Sequence, residues 1–269
     1  MTVKAPPEKM GPTYPTSHRL LEGKTVLVTA AAGTGIGFAV ARRCVEEGAT
    51  VMVSDIHERR LGEAAEKLGQ FGMAGGRPVA KKLCNVTKES DVRALVAAAV
   101  SELGRIDVLV NNAGLGGFAK LVDMTDEQWS AVLDVSLGGT FRMTRAVLAH
   151  MIERRAGVIV NNASVLGWRA QPGQAHYAAA KAGVMALTRC AAMEAAEAGV
   201  RINAVAPSLA MHEFLSKVTP AGLLEDLTQR EAFRRAAEPW EVANVIVFLA
   251  SDYSTYMTGE VIAVSSQHP

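Results

Sequence analysis

A chain of 269 residues, 49% of them hydrophobic and with a formal net charge of +1, is long enough to bury a sizeable core. It carries no electrostatic footprint for nucleic acid or an anionic membrane surface, so neither is expected as a partner. Cys44, Cys84 and Cys190 lie far apart in apolar stretches without metal-ligand spacing, which predicts reduced core thiols in a cytoplasmic protein and no metal site.

Residues 1–20 are Pro-rich, lack a hydrophobic signal core and read as a flexible extension. From residue 21 onward, strand-like and helix-like segments alternate. Lys24 to Thr29 is a β-branched run, followed at once by Ala30-Ala-Ala-Gly-Thr-Gly-Ile-Gly37 and a helix starting near Ile36. In that context glycines permit a close backbone approach, and a helix N-terminus offers free N–H groups to a pyrophosphate. Gly33, Thr34, Gly35, Ile36 and Gly37 are therefore the first candidate cofactor residues. A second strand, Thr50 to Ser54, ends at Asp55, about 20 residues on, where a carboxylate suits a ribose 2′-hydroxyl and repels a 2′-phosphate. That favours NAD(H), with NADP(H) possible because Arg59 and Arg60 stand close by. Asp55 would equally serve as a helix N-cap.

Strands follow at Arg77–Cys84, Asp107–Val110, Gly157–Ala163, Val200–Val205 and Gly259–Val264. Helices fill the gaps at Lys88–Leu103, Thr125–Arg155, Gln174–Ala198 and Glu238–Ala250. The long helical stretch has an expected inner face of Trp129, Val132, Leu133, Leu137, Phe141, Val147 and Met151. This alternation predicts an α/β fold: one Rossmann-type domain over residues 21–269, with a doubly wound parallel sheet of about seven strands and helices on both faces. In such sheets ligands bind beyond the carboxyl ends of the strands. Gly33 to Gly37, Asp55, Asn85-Val86, Asn112-Ala113-Gly114, Ser164, Tyr177 and Pro207 all fall there.

Ser164 to Lys181 is the stretch on which the chemistry turns. Tyr177 and Lys181 are four apart on a helix, so they share a face. An ammonium beside a phenol is expected to lower the phenol's pKa towards the working range, and a serine hydroxyl can hold the substrate oxygen. An alanine-rich core helix beginning at a tyrosine would show the same spelling, so the argument rests on the convergence at one rim.

With G-T-G-I-G, N-N-A-G, S-x12-Y-x3-K, N-A-V-A-P and F-L-A-S-D…T-G-E-V-I, the chain resembles the short-chain dehydrogenase/reductase family from about Leu21 to Ser266. The resemblance implies a nicotinamide dinucleotide, hydride transfer between a carbonyl and a secondary alcohol, and a homotetramer. It makes Tyr177 the acid-base, Ser164 the holder of the substrate oxygen, and Lys181 a ligand of the nicotinamide ribose. It also places Ser136 where the family's fourth catalytic residue, an asparagine, usually stands, and His212 where a threonine often meets the cofactor. Two further departures are Ala30 for the usual first glycine and Ser265-Ser266 for the usual terminal D-G-G. The spellings T-A-A-A-G-T-G-I-G, N-N-A-S-V-L-G-W-R-A-Q and P-S-L-A-M-H-E-F are similar to an actinobacterial branch of hydroxyacyl-CoA dehydrogenases of steroid C/D-ring degradation. The implied substrate is then a bulky CoA thioester. A 3-oxoacyl-(acyl-carrier-protein) or acetoacetyl-CoA reductase is the alternative, and a nucleotide-sensing protein on the same fold the rival class.

Leu115 to Phe118, Leu166 to Trp168 and the long connection 208–237 are expected to surround the substrate. The last mixes apolar residues with Lys217, Arg230, Arg234 and Arg235, which suits a lid over an acyl group carrying CoA phosphates, or equally a solvated helix face. His176 reads as a pocket wall.

Overall fold

A computed structural model describes residues 12–72, 79–211, 215 and 221–267. Seven parallel strands form one sheet in the order β3-β2-β1-β4-β5-β6-β7. They are β1 Thr25–Val28, β2 Thr50–Asp55, β3 Ala80–Leu83, β4 Val108–Asn111, β5 Gly157–Asn162, β6 Val200–Pro207 and β7 Val261–Val264. The helices between them are α1 Ile36–Glu46, α2 Glu58–Gly69, α3 Glu89–Leu103, α4 Asp126–Leu133, α5 Gly139–Arg154, α6 Ala175–Ala195, α7 Ala221–Arg230 and α8 Pro239–Ala250. The expected third strand begins in part outside the described residues, since Arg77 and Pro78 are not among them.

Strand alternation divides the core into two layers. In β1, Val26 and Val28 face the cluster built on α1 and α8, while Leu27 faces the cluster built on α3 and α5. In β4, Val108 and Val110 join the first layer and Leu109 the second. Period-two alternation with both faces apolar is what a parallel sheet covered on both sides requires. The order of connection reverses between β1 and β4, which opens a crevice at the carboxyl ends of those two strands.

Three expectations are corrected. The long helical stretch is interrupted by a π turn over Asp134–Gly138, between α4 and α5. Val132, Val147 and Met151 are buried as expected and Met143 joins them, but Trp129 and Phe141 point outward. Cys44 and Cys84 are buried, whereas Cys190 is exposed on the outer face of α6. In the third case burial also decides the outcome: of the extension 1–20, the described residues 12–20 lie against α1 and α8. Tyr14 sets its ring edge-on to Trp240 at 5.3 Å between centroids and donates to Glu46, with Arg42 stacked over it. The wholly buried Glu47 accepts from the His18 and Leu20 N–H groups at 3.0 and 2.9 Å and pairs with Arg43. A buried carboxylate needs such partners, and the extension supplies them.

Candidate active site

The turn after β1 carries the first part of the site. Ala30, standing where the family resemblance expects glycine, adopts φ +51, and Gly33 adopts φ +114. A left-handed non-glycine residue costs about 1–3 kcal/mol and persists only where its surroundings over-determine it. Here the Asn112 Nδ2 donates to the Thr29 and Ala30 carbonyls at 3.2 and 3.0 Å, and Thr29 Oγ1 accepts from the Asn112 and Ala113 N–H groups. Gly37 is forced by space: a Cβ there would lie 2.3 Å from the Ala30 carbonyl oxygen and 2.4 Å from Asn112 Nδ2. At the start of α1, Gly35 is the N-cap and no side chain caps the helix. The free N–H groups and the positive end of the helix dipole are thus available to an anion.

Asp55, 7% exposed, closes the turn from the other side. Its carboxylate accepts from the Ala32 N–H at 3.2 Å and the His57 N–H at 3.0 Å. Burial pushes its pKa upward, opposed by the Ala32 N–H, the Arg60 charge and the Ile56 N–H. Arg59 is turned away and pairs with Glu63 at 2.7 Å. Glycine-rich turn, uncapped helix and carboxylate together fit the diphosphate and adenosine ribose of a nicotinamide dinucleotide.

The side chains expected from sequence to carry the chemistry lie just after β5 and on α6. Ser164 Oγ accepts from the Leu166 N–H at 3.2 Å, which fixes its rotamer, and its hydroxyl is close enough to the Tyr177 phenol to pull that group's pKa down. Lys181 is 3% exposed and donates to the Asn162 carbonyl at 2.6 Å, its Nζ 5.5 Å from the Tyr177 ring centroid. Asn162 Nδ2 donates in turn to Asn112 Oδ1 at 3.0 Å. A polar ladder therefore runs from Lys181 through Asn162 and Asn112 to the Ala30 carbonyl, joining the lysine to the glycine turn across three strands. Asn162 and Thr29 were missed from sequence. The legible signal was the pair of N-N dipeptides ending β4 and β5, which the register Asn111↔Asn161 brings side by side.

The electrostatics differ from the sequence expectation. Burial raises the Tyr177 pKa, with the Ser164 hydrogen bond pulling the other way, because the Lys181 ammonium is directed at the Asn162 carbonyl. Burial depresses Lys181 to about 8. The folded protein thus holds this proton less tightly than the unfolded chain, so stability is lost as pH falls through about 8 and regained towards the unfolded lysine value of about 10.4. The full shift corresponds to at most about 3 kcal/mol. Urea unfolding at pH 7.5 and pH 10 checks this. Wild type is expected to gain stability relative to Lys181→Met over that interval, and a constant difference would contradict the assignment.

Ser136 sits in the π turn, fully buried. Its Oγ accepts from the Leu115 N–H at 2.9 Å and donates to the Leu115 carbonyl at 3.1 Å. A Cβ on Gly114 would lie 3.4 Å from Lys181 Nζ and 3.7 Å from Ser136 Oγ, so these groups meet around Gly114. The next residues pass over the helix start: a Cβ on Gly116 would touch the Tyr177 ring at 4.0 Å, and one on Gly117 would press on His176 Nε2 at 2.8 Å. Asn85 and Val86 are engaged locally. Asn85 Oδ1 accepts from the Thr87 N–H and hydroxyl, and Val86 packs against Gly139. Pro207 ends β6, and His212 lies outside the described residues. Among the described residues no His, Cys, Asp or Glu cluster could hold a metal, and no helix is long and apolar enough to cross a membrane.

The family described as enoyl-(acyl carrier protein) reductase matches residues 30–266. The chain is 63% identical over 253 residues, 94% of its length and 95% of the relative's, to a Mycobacterium tuberculosis (5R,7aS)-5-hydroxy-7a-methyl-1-oxo-2,3,5,6,7,7a-hexahydro-1H-indene-carboxyl-CoA reductase. It is 43% identical to a 3-oxoacyl-(acyl-carrier-protein) reductase of Thermotoga maritima, covering 91% of this chain and 97% of that one. A short-chain dehydrogenase from Mycobacterium smegmatis superposes with a TM-score of 0.85 at 56% identity, covering 97% and 99% of the two chains. With the sheet order, the glycine turn and the Ser164–Tyr177–Lys181 group already in place, these matches establish that the chain belongs to the short-chain dehydrogenase/reductase family and is an oxidoreductase of the kind that uses NAD(P)(H).

Proposed function

We propose that the protein interconverts a ketone and a secondary alcohol on a bulky, ring-bearing acyl-CoA, with NAD(H) preferred. The observation that carries the substrate reading is the 63% identity to the hexahydroindene-carboxyl-CoA reductase across nearly the whole of both chains. Gly33 to Gly37, Asp55, Asn112 to Gly114 and Lys181 would hold a nicotinamide dinucleotide, which when bound would supply or accept the hydride. In the reductive direction Ser164 donates a hydrogen bond to the carbonyl oxygen, and Tyr177, neutral because burial raises its pKa, donates the proton. The Lys181 ammonium, held by Asn162, stabilises the phenolate left behind. Ser136 acts through the Leu115 peptide, holding the loop that passes over Tyr177.

The exposed Leu115, Phe118 and Trp168 offer apolar walls to the acyl group. In the 208–237 lid, Arg235 is committed to Glu241 through two bonds of 2.6 and 2.8 Å, which leaves the exposed Arg230 as the better placed cation for a CoA phosphate. Phe214 and Lys217 of the lid lie outside the described residues. The apolar groove lined by Trp129, Leu133, Leu137, Phe141 and Leu187 supports a homotetramer, because an exposed patch of this kind marks an interaction surface. Free cysteines support a cytoplasmic location.

Turnover of hydroxyacyl-CoA thioesters against 3-oxoacyl-(acyl-carrier-protein) substrates tests the reading. Faster turnover of the carrier-protein substrate would replace it with the alternative favoured by the Thermotoga relative. The cofactor preference has its own test. The Asp55 carboxylate repels a 2′-phosphate, and at an effective dielectric near 20 like charges about 4 Å apart differ by about 4 kcal/mol. Asp55→Ala is expected to raise kcat/KM with NADPH about tenfold or more while lowering it with NADH. A wild-type protein that already prefers NADPH would refute the assignment.

A further inference from the structure

Glu231, immediately after α7, is 2% exposed. Its Oε1 accepts from Gln267 Nε2 at 2.7 Å and from the Leu209 N–H at 3.5 Å, and its Oε2 accepts from the Ser266 hydroxyl at 2.7 Å. The Ala232 N–H adds a backbone bond to the Ser266 carbonyl at 3.1 Å. A buried carboxylate served by neutral donors is a costly way to fill space that an aliphatic side chain would fill without penalty. The arrangement is intelligible by what it joins. Leu209 lies at the start of the 208–237 segment, Glu231 follows its helix, and Ser266 and Gln267 come after β7, with Ser266 standing where the family resemblance expects the last glycine. The same Gln267 accepts from Arg169 through both its side-chain and main-chain oxygens, and Arg169 adjoins Trp168 in the loop behind Ser164. The far end of the segment is pinned as well, by the Ala237 N–H to the Leu209 carbonyl at 2.8 Å and the Met211 N–H to the Ala237 carbonyl at 2.9 Å.

We infer that Glu231 is a positioning residue for the substrate: with Ser266 and Gln267 it fastens residues 208–211 and 221–237 to the chain end and to the loop after Ser164, and so sets the substrate side of the cleft. Neither Glu231 nor Gln267 touches the reacting atoms. The group ties together two of the stretches that the sequence reading places around the substrate. Its effect therefore falls on substrate affinity and not on the dinucleotide or the proton transfer. The identity of the assay substrate rests on the acyl-CoA reading above; the coupling of the three segments does not.

The test compares full-length wild type, Glu231→Ala, Glu231→Gln, Ser266→Ala/Gln267→Ala, and the combination of Glu231→Ala with that pair. Expected is a rise of about tenfold or more in thioester KM for Glu231→Ala and for the Ser266/Gln267 pair, with kcat within about threefold of wild type. NADH affinity by fluorescence titration stays within about twofold, and the combination is no worse than either alone, because the groups act as one unit. Glu231→Gln, which keeps the shape and one acceptor oxygen, falls between wild type and Glu231→Ala. Hydrogen exchange at 208–211 and 221–237 quickens while exchange at 25–37 does not change. An unchanged KM despite faster exchange would reduce Glu231 to a structural role, and additive rises in KM would show that the contacts are independent; either overturns the inference. A wild type inactive on every acyl-CoA sinks the substrate reading alone. The same KM comparison on whichever ketone or alcohol it does use, together with the exchange data, then decides the role of Glu231.

Discussion

Tyr177→Phe is expected to lower kcat by about 10²–10⁴-fold, the range associated with loss of a general acid-base. The substitution removes one oxygen and leaves the ring in its place beside Gly116. Ser164 keeps its bond from the Leu166 N–H, so its rotamer survives the loss of the phenol. Lys181 is held by Asn162 and not by the tyrosine, so the ladder to the glycine turn also survives. Affinity for NADH should for that reason change by no more than a few-fold. Steady-state kinetics with a fluorescence titration of NADH separates the two effects, and a variant retaining more than about a tenth of wild-type kcat would remove Tyr177 from the proton transfer.

Gly37→Ala is expected to abolish dinucleotide binding at ordinary concentrations. The new methyl group would sit 2.3 Å from the Ala30 carbonyl oxygen, a backbone atom that cannot swing aside, and 2.4 Å from Asn112 Nδ2. Relief requires the helix start to retreat or Ala30 to leave its left-handed conformation, and Asn112 is bonded to both Thr29 and Ala30. Overpacking of this kind costs about 1–3 kcal/mol in stability. The effect on the cofactor is larger. Displacing two N–H groups from an anion loses about 3–6 kcal/mol, at 1.5–3 kcal/mol for each hydrogen bond to a charged group. That is a weakening of more than about a hundredfold. Calorimetric titration with NADH measures it. Binding within about fivefold of wild type would show that the α1 N-terminus does not hold the diphosphate.

Much of this was legible in local sequence because it depends on local physics. Alternating apolar runs and helical stripes locate the strands and helices wherever both faces of a strand are covered. The Ser164, Tyr177 and Lys181 spacing needs only a strand end and one helix turn. The Trp129 and Phe141 expectation failed because periodicity marks an apolar stripe but not what covers it. Trp129, Leu133, Leu137 and Phe141 line one open groove while Val132, Met143, Val147 and Met151 are buried, and the π turn at Asp134–Gly138 lies in the middle of that groove wall. That same turn carries Ser136 inward to the Leu115 peptide, a contact between residues 21 apart.

By itself, then, the sequence determined the parallel α/β architecture, the glycine turn with Asp55 beyond it, and the trio at the end of β5 and the start of α6. Each of these is written in residues near one another in the chain. Only the tertiary structure decided which way the lysine points, because Asn162 lies 19 residues from Lys181 and Asn112 another 50 away on a neighbouring strand. It also decided that Tyr14 and the N–H groups of His18 and Leu20 meet Glu46 and Glu47 of the first helix and its end, and that Glu231 closes on Ser266 and Gln267. A buried carboxylate must find donors wherever the fold brings them, and nothing in the neighbouring sequence of Glu47 or Glu231 announces where those donors will come from.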